Sequence, residues 1–311
     1  MTNKERYIEF CKKEPIPIYS QYWWLDAVCA DGEWNVLLFE KGGEIWASMP
    51  IYKKKKYIFD IITMPKLTKN MGVYIKYPEN QKYYKKLSWE KEIMKYFIEK
   101  LPKFDYFDIS LHYDVQNWLP FYWKGFKSDV AYSYIIKDTD NIDLVWSSFA
   151  SEVRTKIKKA KKKVTAHETQ DINELYSLIK KTYERQDKTP PYPIEFLQKL
   201  DSACKKNNAR KILIAKDDEG NAHSAIFFVW DKKSVYLLIS GGDPKLRNSG
   251  AKNLLVWEAI NFASQNRLDF DFEGSMVENI EKYNYSFGAK QSVFFNISKI
   301  NSKILNFALK I

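Results

Sequence analysis

Residues 234–263 read SVYLLISGGDPKLRNSGAKNLLVWEAINFA. SVYLLISGG has the aliphatic and β-branched content of a strand, and DPKLRNSG is a polar, turn-forming loop. Leu255, Ala259, Phe262 and Ala263 then return at helical spacing along one face. A strand entering a long helix through such a loop aims backbone N–H groups of the first helical turn at one point, where an anion can sit. Working outward, KILIAKD, the turn DEGN and SAIFFVWD predict a hairpin before this stretch. RLDFDFEGS predicts a strand after it, VENIEKYNYSFG a short helix ending at Gly288, and QSVFFNISK a last strand. Further upstream, IDLVWSSFASEVRTKIKKAKKK predicts one helix with Val153, Ile157, Ala160 and Val164 on its apolar side. Asp171 caps a second helix, with Glu174 three residues on. A third follows Pro193.

The first half of the chain repeats this order. WNVLLFEKGGEIWASMPIY is strand, turn and strand, with Lys41-Gly42-Gly43-Glu44 where Asp218-Glu219-Gly220-Asn221 stands later. Ser88 caps a helix with Trp89, Ile93, Tyr96 and Phe97 on one face. FDYFDIS parallels LDFDFEGS, NWLPFYWKGFKS parallels NIEKYNYSFGAK with Phe126 matching Phe287, and SDVAYSYIIK closes this half as QSVFFNISK closes the other. The fold class is α/β (α+β): two related domains, residues 1–140 and 141–311, each a mixed sheet flanked by helices.

Composition bounds the function. At 311 residues with 45% apolar content the chain builds packed cores. Cys11, Cys29 and Cys204 are too scattered for a disulfide framework or a metal cluster, and His112, His167 and His223 show no ligand spacing. No metal is expected. The start MTNKERYIEFCKKEPIP lacks the apolar core of a signal peptide, so a soluble cytoplasmic protein is the expectation. The net charge of +11, with KKKK at Lys53–Lys56 and KKAKKK at Lys158–Lys163, points to an anionic partner or to solvated basic faces. No Gly-x-Ser-x-Gly elbow, phosphate-binding Walker loop or dinucleotide fingerprint is present, so hydrolase, NTPase and dehydrogenase readings lack support.

Together with their order, IYSQYWWLDAVC, SEVRTKIKKAKK, TYERQDKTPPYPIEFLQKL, GGDPKLRNSGAKNLLVWEAI, DFEGSM and YNYSFGAKQ resemble the Fem-type peptidyltransferases and the FemAB-like branch of the GNAT N-acyltransferase superfamily. The resemblance covers most of the chain. It implies two tandem GNAT-like domains and transfer of an acyl or aminoacyl group to an amine. It also implies acyl-CoA or aminoacyl-tRNA as co-substrate. The acceptor it implies is an amine-bearing small molecule or a peptidoglycan precursor, with tRNA and peripheral membrane contact as further partners. Two positions depart from the pattern. Tyr283-Asn284 stands where many Fem enzymes carry Phe-Lys, and Lys252 stands where the GNAT phosphate loop ends on a small residue. A catalytically silent module that binds a nucleotide sugar, tRNA or polysaccharide precursor is the alternative.

Acyl transfer to an amine sets a physical demand. An amine of pKa ~10.4 must lose a proton before it attacks, at about 4.6 kcal/mol at neutral pH. A proton-handling group and a hydrogen-bond donor for the carbonyl oxygen are both needed. Glu273, at a predicted strand end beside Gly274 and Ser275, is the first catalytic candidate. Asp271, on the same strand face, is the second. Backbone amides at the end of SVYLLISGG are candidate carbonyl donors. Arg247, Asn248, Ser249 and Gly250 form the candidate donor-phosphate loop, whose alternative reading is an ordinary helix cap. By the resemblance Arg185 meets an acceptor diphosphate, with Tyr192 nearby. Tyr236 and Tyr283 are candidate groove residues among 21 tyrosines, most of which serve packing.

Overall fold

The computed structural model describes residues 1–308. The first half forms α1 (Asn3–Lys13), α2 (Tyr22–Val28), β1 (Glu33–Lys41), β2 (Glu44–Lys56), β3 (Phe59–Ile62), β4 (Tyr74–Ile75), α3 (Tyr83–Lys100), β5 (Tyr106–Ser110), α4 (Leu119–Trp123) and β6 (Lys127–Ile136). There follow α5 (Ile142–Ser148), α6 (Ser151–Ala160), β7 (Thr165–Thr169), α7 (Ile172–Glu184), α8 (Ile194–Lys206), β8 (Arg210–Lys216), β9 (Ala222–Trp230) and β10 (Ser234–Gly242). The chain continues through α9 (Ala251–Gln265), β11 (Asp269–Asp271), α10 (Glu278–Tyr285), β12 (Lys290–Ile300) and α11 (Lys303–Ala308).

These elements form two compact units, Met1–Ala131 with the chain from Val293 on, and Tyr132–Ser292. In the first, the strand order is β1-β2-β3-β5-β12, with β4 on β2. In the second it is β8-β9-β10-β11-β6, with β7 added outside β8. Along both series the pairings run antiparallel, antiparallel, parallel and antiparallel. The internal repeat is therefore a repeat of topology. It differs from the sequence expectation in how each sheet is finished. β12 closes the first unit against β5, from Asn296↔Ser110 to Ile300↔Tyr106, and β6 closes the second through Phe270↔Ile136 and Asp271↔Ile135. Each closing strand comes from the other half of the sequence. Alternating residues mark a segment as a strand but carry no information about which edge it will pair with. The compact units accordingly differ from a division at residue 140 in two places, Tyr132–Asp140 and the chain from Val293 on.

Each unit has its own core. In the first, Trp89, Ile93, Met94 and Phe97 of α3 pack on Phe39, Met49, Phe107 and Ile109 of the sheet. In the second, Leu254, Leu255, Ala259 and Ile260 of α9 and Val153 and Ile157 of α6 pack on Ile226, Phe228, Val235 and Phe270. A side chain of this size contributes roughly 1.5–3 kcal/mol on burial, so these faces anchor the helices.

The expected long helix over 142–163 is broken into α5 and α6 at Phe149 and Ala150, which are extended. Phe149 turns into the core against Trp257 and Phe287, and the Ala150 N–H donates to Ser286 O at 2.8 Å. Core packing outweighs helix propensity there. Asp171 caps α7 as expected, its side-chain oxygen accepting from the Asn173 N–H at 2.9 Å. Among the described residues no helix is long and apolar enough to cross a membrane.

Candidate active site

The second unit carries the chemistry-bearing residues on its one parallel strand pair. β10 and β11 pair from Ser234↔Asp269 to Tyr236↔Asp271. There β11 ends while β10 runs on to Gly242. The carboxyl ends of parallel strands are where α/β folds build sites, because the loops leaving them diverge. A register shift in β10 between Tyr236 and Ile239 interrupts its ladder with β9 beside this point.

Glu273 and Gly274 follow β11 directly, and both take positive φ, +64° and +61°. For a glutamate this conformation costs on the order of 1–3 kcal/mol, so the surroundings must hold it. Gly274 is held by close approach: a Cβ there would lie 1.9 Å from Tyr132 O. Asp271 is buried, accepts a hydrogen bond from the Ser133 hydroxyl and another from the Glu273 N–H at 2.7 Å, and so fixes the turn. Glu273 itself is buried, and its Oε2 has no hydrogen-bond partner in the protein. Burial pushes its carboxyl well above the ordinary carboxylate range, which favours the protonated form.

A cavity of about 280 Å³ opens where the end of β10 meets the start of α9, lined by Thr182, Arg185, His223, Arg247, Ser249 and Lys252 among others. α7 crosses this end of β10 so closely that a Cβ on Gly241 would lie 2.6 Å from Ile179 N. Its Thr182 hydroxyl accepts from the Gly242 N–H at 2.9 Å and donates to Gly242 O at 3.1 Å. The Asp243 N–H donates to His223 O at 3.0 Å. These two amides at the end of SVYLLISGG are thus already engaged, which corrects the expectation that they wait for a carbonyl oxygen. His223 is buried with Nε2 3.0 Å from Asp217 Oδ2, and its Nδ1 has no partner. This contact with His223 holds the Asp217 carboxyl down, to about 2.

α9 starts at Gly250, whose φ of +83° and whose 2.6 Å clearance from Lys156 O both exclude a side chain. Lys252 therefore stands in the first helical turn, where the helix dipole disfavours a cation. Its ammonium lies 4.6 Å from the centre of the Tyr283 ring. Desolvation lowers the ammonium to about 8. The side chain is also open to solvent, and water entering the cavity mouth offsets part of that desolvation. An aromatic wall continues from Tyr283 to Phe287 at 5.1 Å and to Phe272 at 5.5 Å, the residue before Glu273. The Tyr283 hydroxyl and the Asn284 Nδ2 are buried without partners, and burial raises the Tyr283 hydroxyl above its ordinary range. An unpartnered buried polar group costs about 1–3 kcal/mol.

Of the residues singled out from sequence, Arg185, Arg247 and Ser249 meet at the cavity; the expected donor and acceptor arginines share one space. Asn248 is exposed, and Gly250 serves the packing of α9 on α6. Tyr192 is a buried packing residue against Phe196, its hydroxyl raised by burial, and its carbonyl accepts from Tyr176 OH at 3.1 Å. Tyr236 is also in the core, donating to Asp231 Oδ2 at 2.9 Å. Thr182, His223 and Ser133 were not legible as site residues. The only local signal for Lys252 was a lysine where the loop pattern wants a small residue. Among the described residues no group of three or more His, Cys, Asp or Glu is placed to hold a metal ion.

Residues 147–283 match the acetyltransferase (GNAT) domain family. No curated protein sequence matches the chain. Among solved structures, FemX aligns over 100% of this chain and 99% of its own, with 13% identity and a TM-score of 0.77. The structure of L-PGS from Bacillus licheniformis aligns over 99% and 96% at 13% identity and a TM-score of 0.58. A tandem GNAT protein from the clavulanic acid biosynthesis pathway, solved without AcCoA, aligns over 96% and 95% at 6% identity and a TM-score of 0.54. The chain thus has the fold of the tandem GNAT proteins, and residues 147–283 are similar to the GNAT acetyltransferase domain.

Proposed function

We propose that the protein is an N-acyltransferase that moves an acyl group from a phosphate-bearing donor, acyl-CoA in preference to aminoacyl-tRNA, onto an amine. The observation that carries the reading is the juxtaposition, in one GNAT domain, of a buried Glu273 with an unpartnered carboxyl oxygen at the end of β11 and a cationic cavity at the end of β10. Arg185 and Arg247 suit the diphosphate of coenzyme A, since a guanidinium meets phosphate oxygens with paired donors, and the start of α9 adds its dipole. The buried, unpartnered Nδ1 of His223 offers the same cavity one more polar contact. Bound coenzyme A would present its acyl group as a thioester. Asn284 in place of the lysine of the Fem pattern argues against the aminoacyl route.

The chain's own groups divide the proton handling. A neutral Lys252 amine, made more accessible by the lowering of its pKa, accepts the proton that the attacking amine must lose. Glu273 holds a carboxyl proton available to the departing group. The nitrogen gives up two protons in all: the one lost before attack passes through Lys252 to solvent, and the one lost as the amide forms restores the Glu273 carboxyl, so one proton is released per transfer. The Tyr283, Phe287 and Phe272 rings line an apolar path from beside Lys252 to the residue before Glu273. Which amine is accepted, a small molecule or a cell-wall precursor, is the finer part of the proposal.

Thermal denaturation with acetyl-CoA tests the donor: the parent protein should melt higher, and Arg247→Ala should lose that shift. Glu273→Gln should lower turnover by about 10²–10⁴-fold with folding intact. The parent rate should rise with pH below the ordinary lysine range, and Lys252→Gln should remove that limb. A protein that ignores coenzyme A and its thioesters yet melts higher with a sugar nucleotide is instead the silent binding module.

A further inference from the structure

A second constellation lies in the first unit, away from every group used above. β2 ends in Lys53-Lys54-Lys55-Lys56 and turns into β3 through Tyr57 and Ile58 alone. Two-residue hairpin turns favour Gly, Asn and Asp, because they need positive φ; here Tyr57 takes +56°. The turn pays twice, in backbone strain and in exposed apolar surface, since Tyr57 is 88% and Ile58 77% exposed. Lys53 pairs with Asp60 at 3.1 Å and Lys54 with Asp31 at 3.2 Å. Lys55 and Lys56 are exposed and have no ion pair among the described residues.

Beneath the hairpin a cavity of about 920 Å³ is lined by Lys54, Lys55, Lys56, Phe59, Tyr106 and Leu305, among others. Leu305 brings α11 to the same place. Ile304 and Phe307, three residues apart on that helix and so on one face, are 66% and 82% exposed. Exposed apolar side chains beside the unpaired Lys55 and Lys56, at a cavity with a basic rim and an apolar lining, match the interfacial zone of a bilayer: acyl chains below, phosphate headgroups above. A nucleic acid would satisfy the lysines but leave Ile58, Ile304 and Phe307 in water.

We infer that the β2–β3 hairpin tip and α11 form a docking surface for a bilayer carrying anionic phospholipid. Tyr57, Ile58 and the exposed face of α11 enter the headgroup boundary, and Lys55 and Lys56 meet the phosphates. The inference uses no residue of the proposed transferase site and stands or falls separately from it.

Co-sedimentation of the full chain with vesicles tests it. Vesicles of phosphatidylcholine with phosphatidylglycerol should retain the protein, those of phosphatidylcholine alone should not, and added salt should weaken retention. Lys55→Gln with Lys56→Gln should lower partitioning about 30-fold, at roughly fivefold per lysine. Tyr57→Asn with Ile58→Ser should lower it on the order of tenfold or more. Asparagine suits the positive φ, so that variant should melt no lower than the parent. Equal binding to neutral and anionic vesicles overturns the inference. So does vesicle binding untouched by the hairpin variants, or a lysine pair that matters for bulk tRNA and not for vesicles.

Discussion

The two units use one topology and finish their parallel strand pair differently. In the first, the end of β5 is filled. Ser110 O accepts from Met71 N–H at 2.9 Å, the Ser110 hydroxyl donates to Asn296 Oδ1 at 2.7 Å, and Leu111 N–H donates to Phe295 O at 2.9 Å. Leu111 is then fully buried in the core. In the second, the residues after β11 are Glu273 and Gly274, both at positive φ, with a buried carboxyl oxygen that has no partner. One strand end has its polar atoms matched and an apolar side chain capping it; the other keeps strain and unmatched polarity. Under the proposed function the first is scaffold and the second is site, the usual division between stability and strain.

Substitutions at the two ends separate these roles. The largest effect is expected from Gly274→Ala, which places a methyl group 1.9 Å from Tyr132 O at a φ of +61°. It should cost more than about 4 kcal/mol in denaturant unfolding, and a loss under 1 kcal/mol would show that the turn relaxes freely. Leu111→Ala should cost about 2–5 kcal/mol while leaving the coenzyme A melting shift unchanged; loss of that shift would break the scaffold half of the comparison.

The smallest effect is in the pH dependence of stability. The folded Glu273 carboxyl lies above its unfolded value, so the folded state binds more protons than the unfolded state between the two. Its contribution is whole below the unfolded pKa and is lost as pH rises through the folded one. The parent should therefore lose stability relative to Glu273→Gln as pH climbs above the ordinary carboxylate range, whereas the curve for Leu111→Ala should run parallel to the parent's. Parallel curves for Glu273→Gln would mean that the carboxyl is charged in the folded protein.

Much of the fold was legible because its signals are local. Gly42 and Gly43 take positive φ at +63° and +81° in the expected first hairpin turn, and Gly220 takes +83° in its counterpart. The helix faces of Trp89, Ile93 and Phe97 and of Leu255 and Ala259 are the faces that pack. The site was legible in part. Arg185, Arg247 and Ser249 reach one cavity because they leave adjacent loops at one end of the sheet, whereas Tyr192 and Tyr236 are packing residues that no local pattern distinguishes from groove residues. His223 and Thr182 were invisible. Their place at the site depends on α7 crossing β10 within reach of Gly242, a contact between residues 60 apart in the chain.

By itself the sequence determined the elements, their order, the duplication and the acidic turn after LDFDF, since periodicity, turn residues and glycine act over a few neighbouring positions. Tertiary structure alone decided the rest. It set which half supplies each closing strand, left a lysine beside Tyr283 at the head of α9, and buried the Glu273 carboxyl with one oxygen unpartnered. Those outcomes depend on strand pairing, close approach and exclusion of water, and each is a property of residues distant in the chain and adjacent in space.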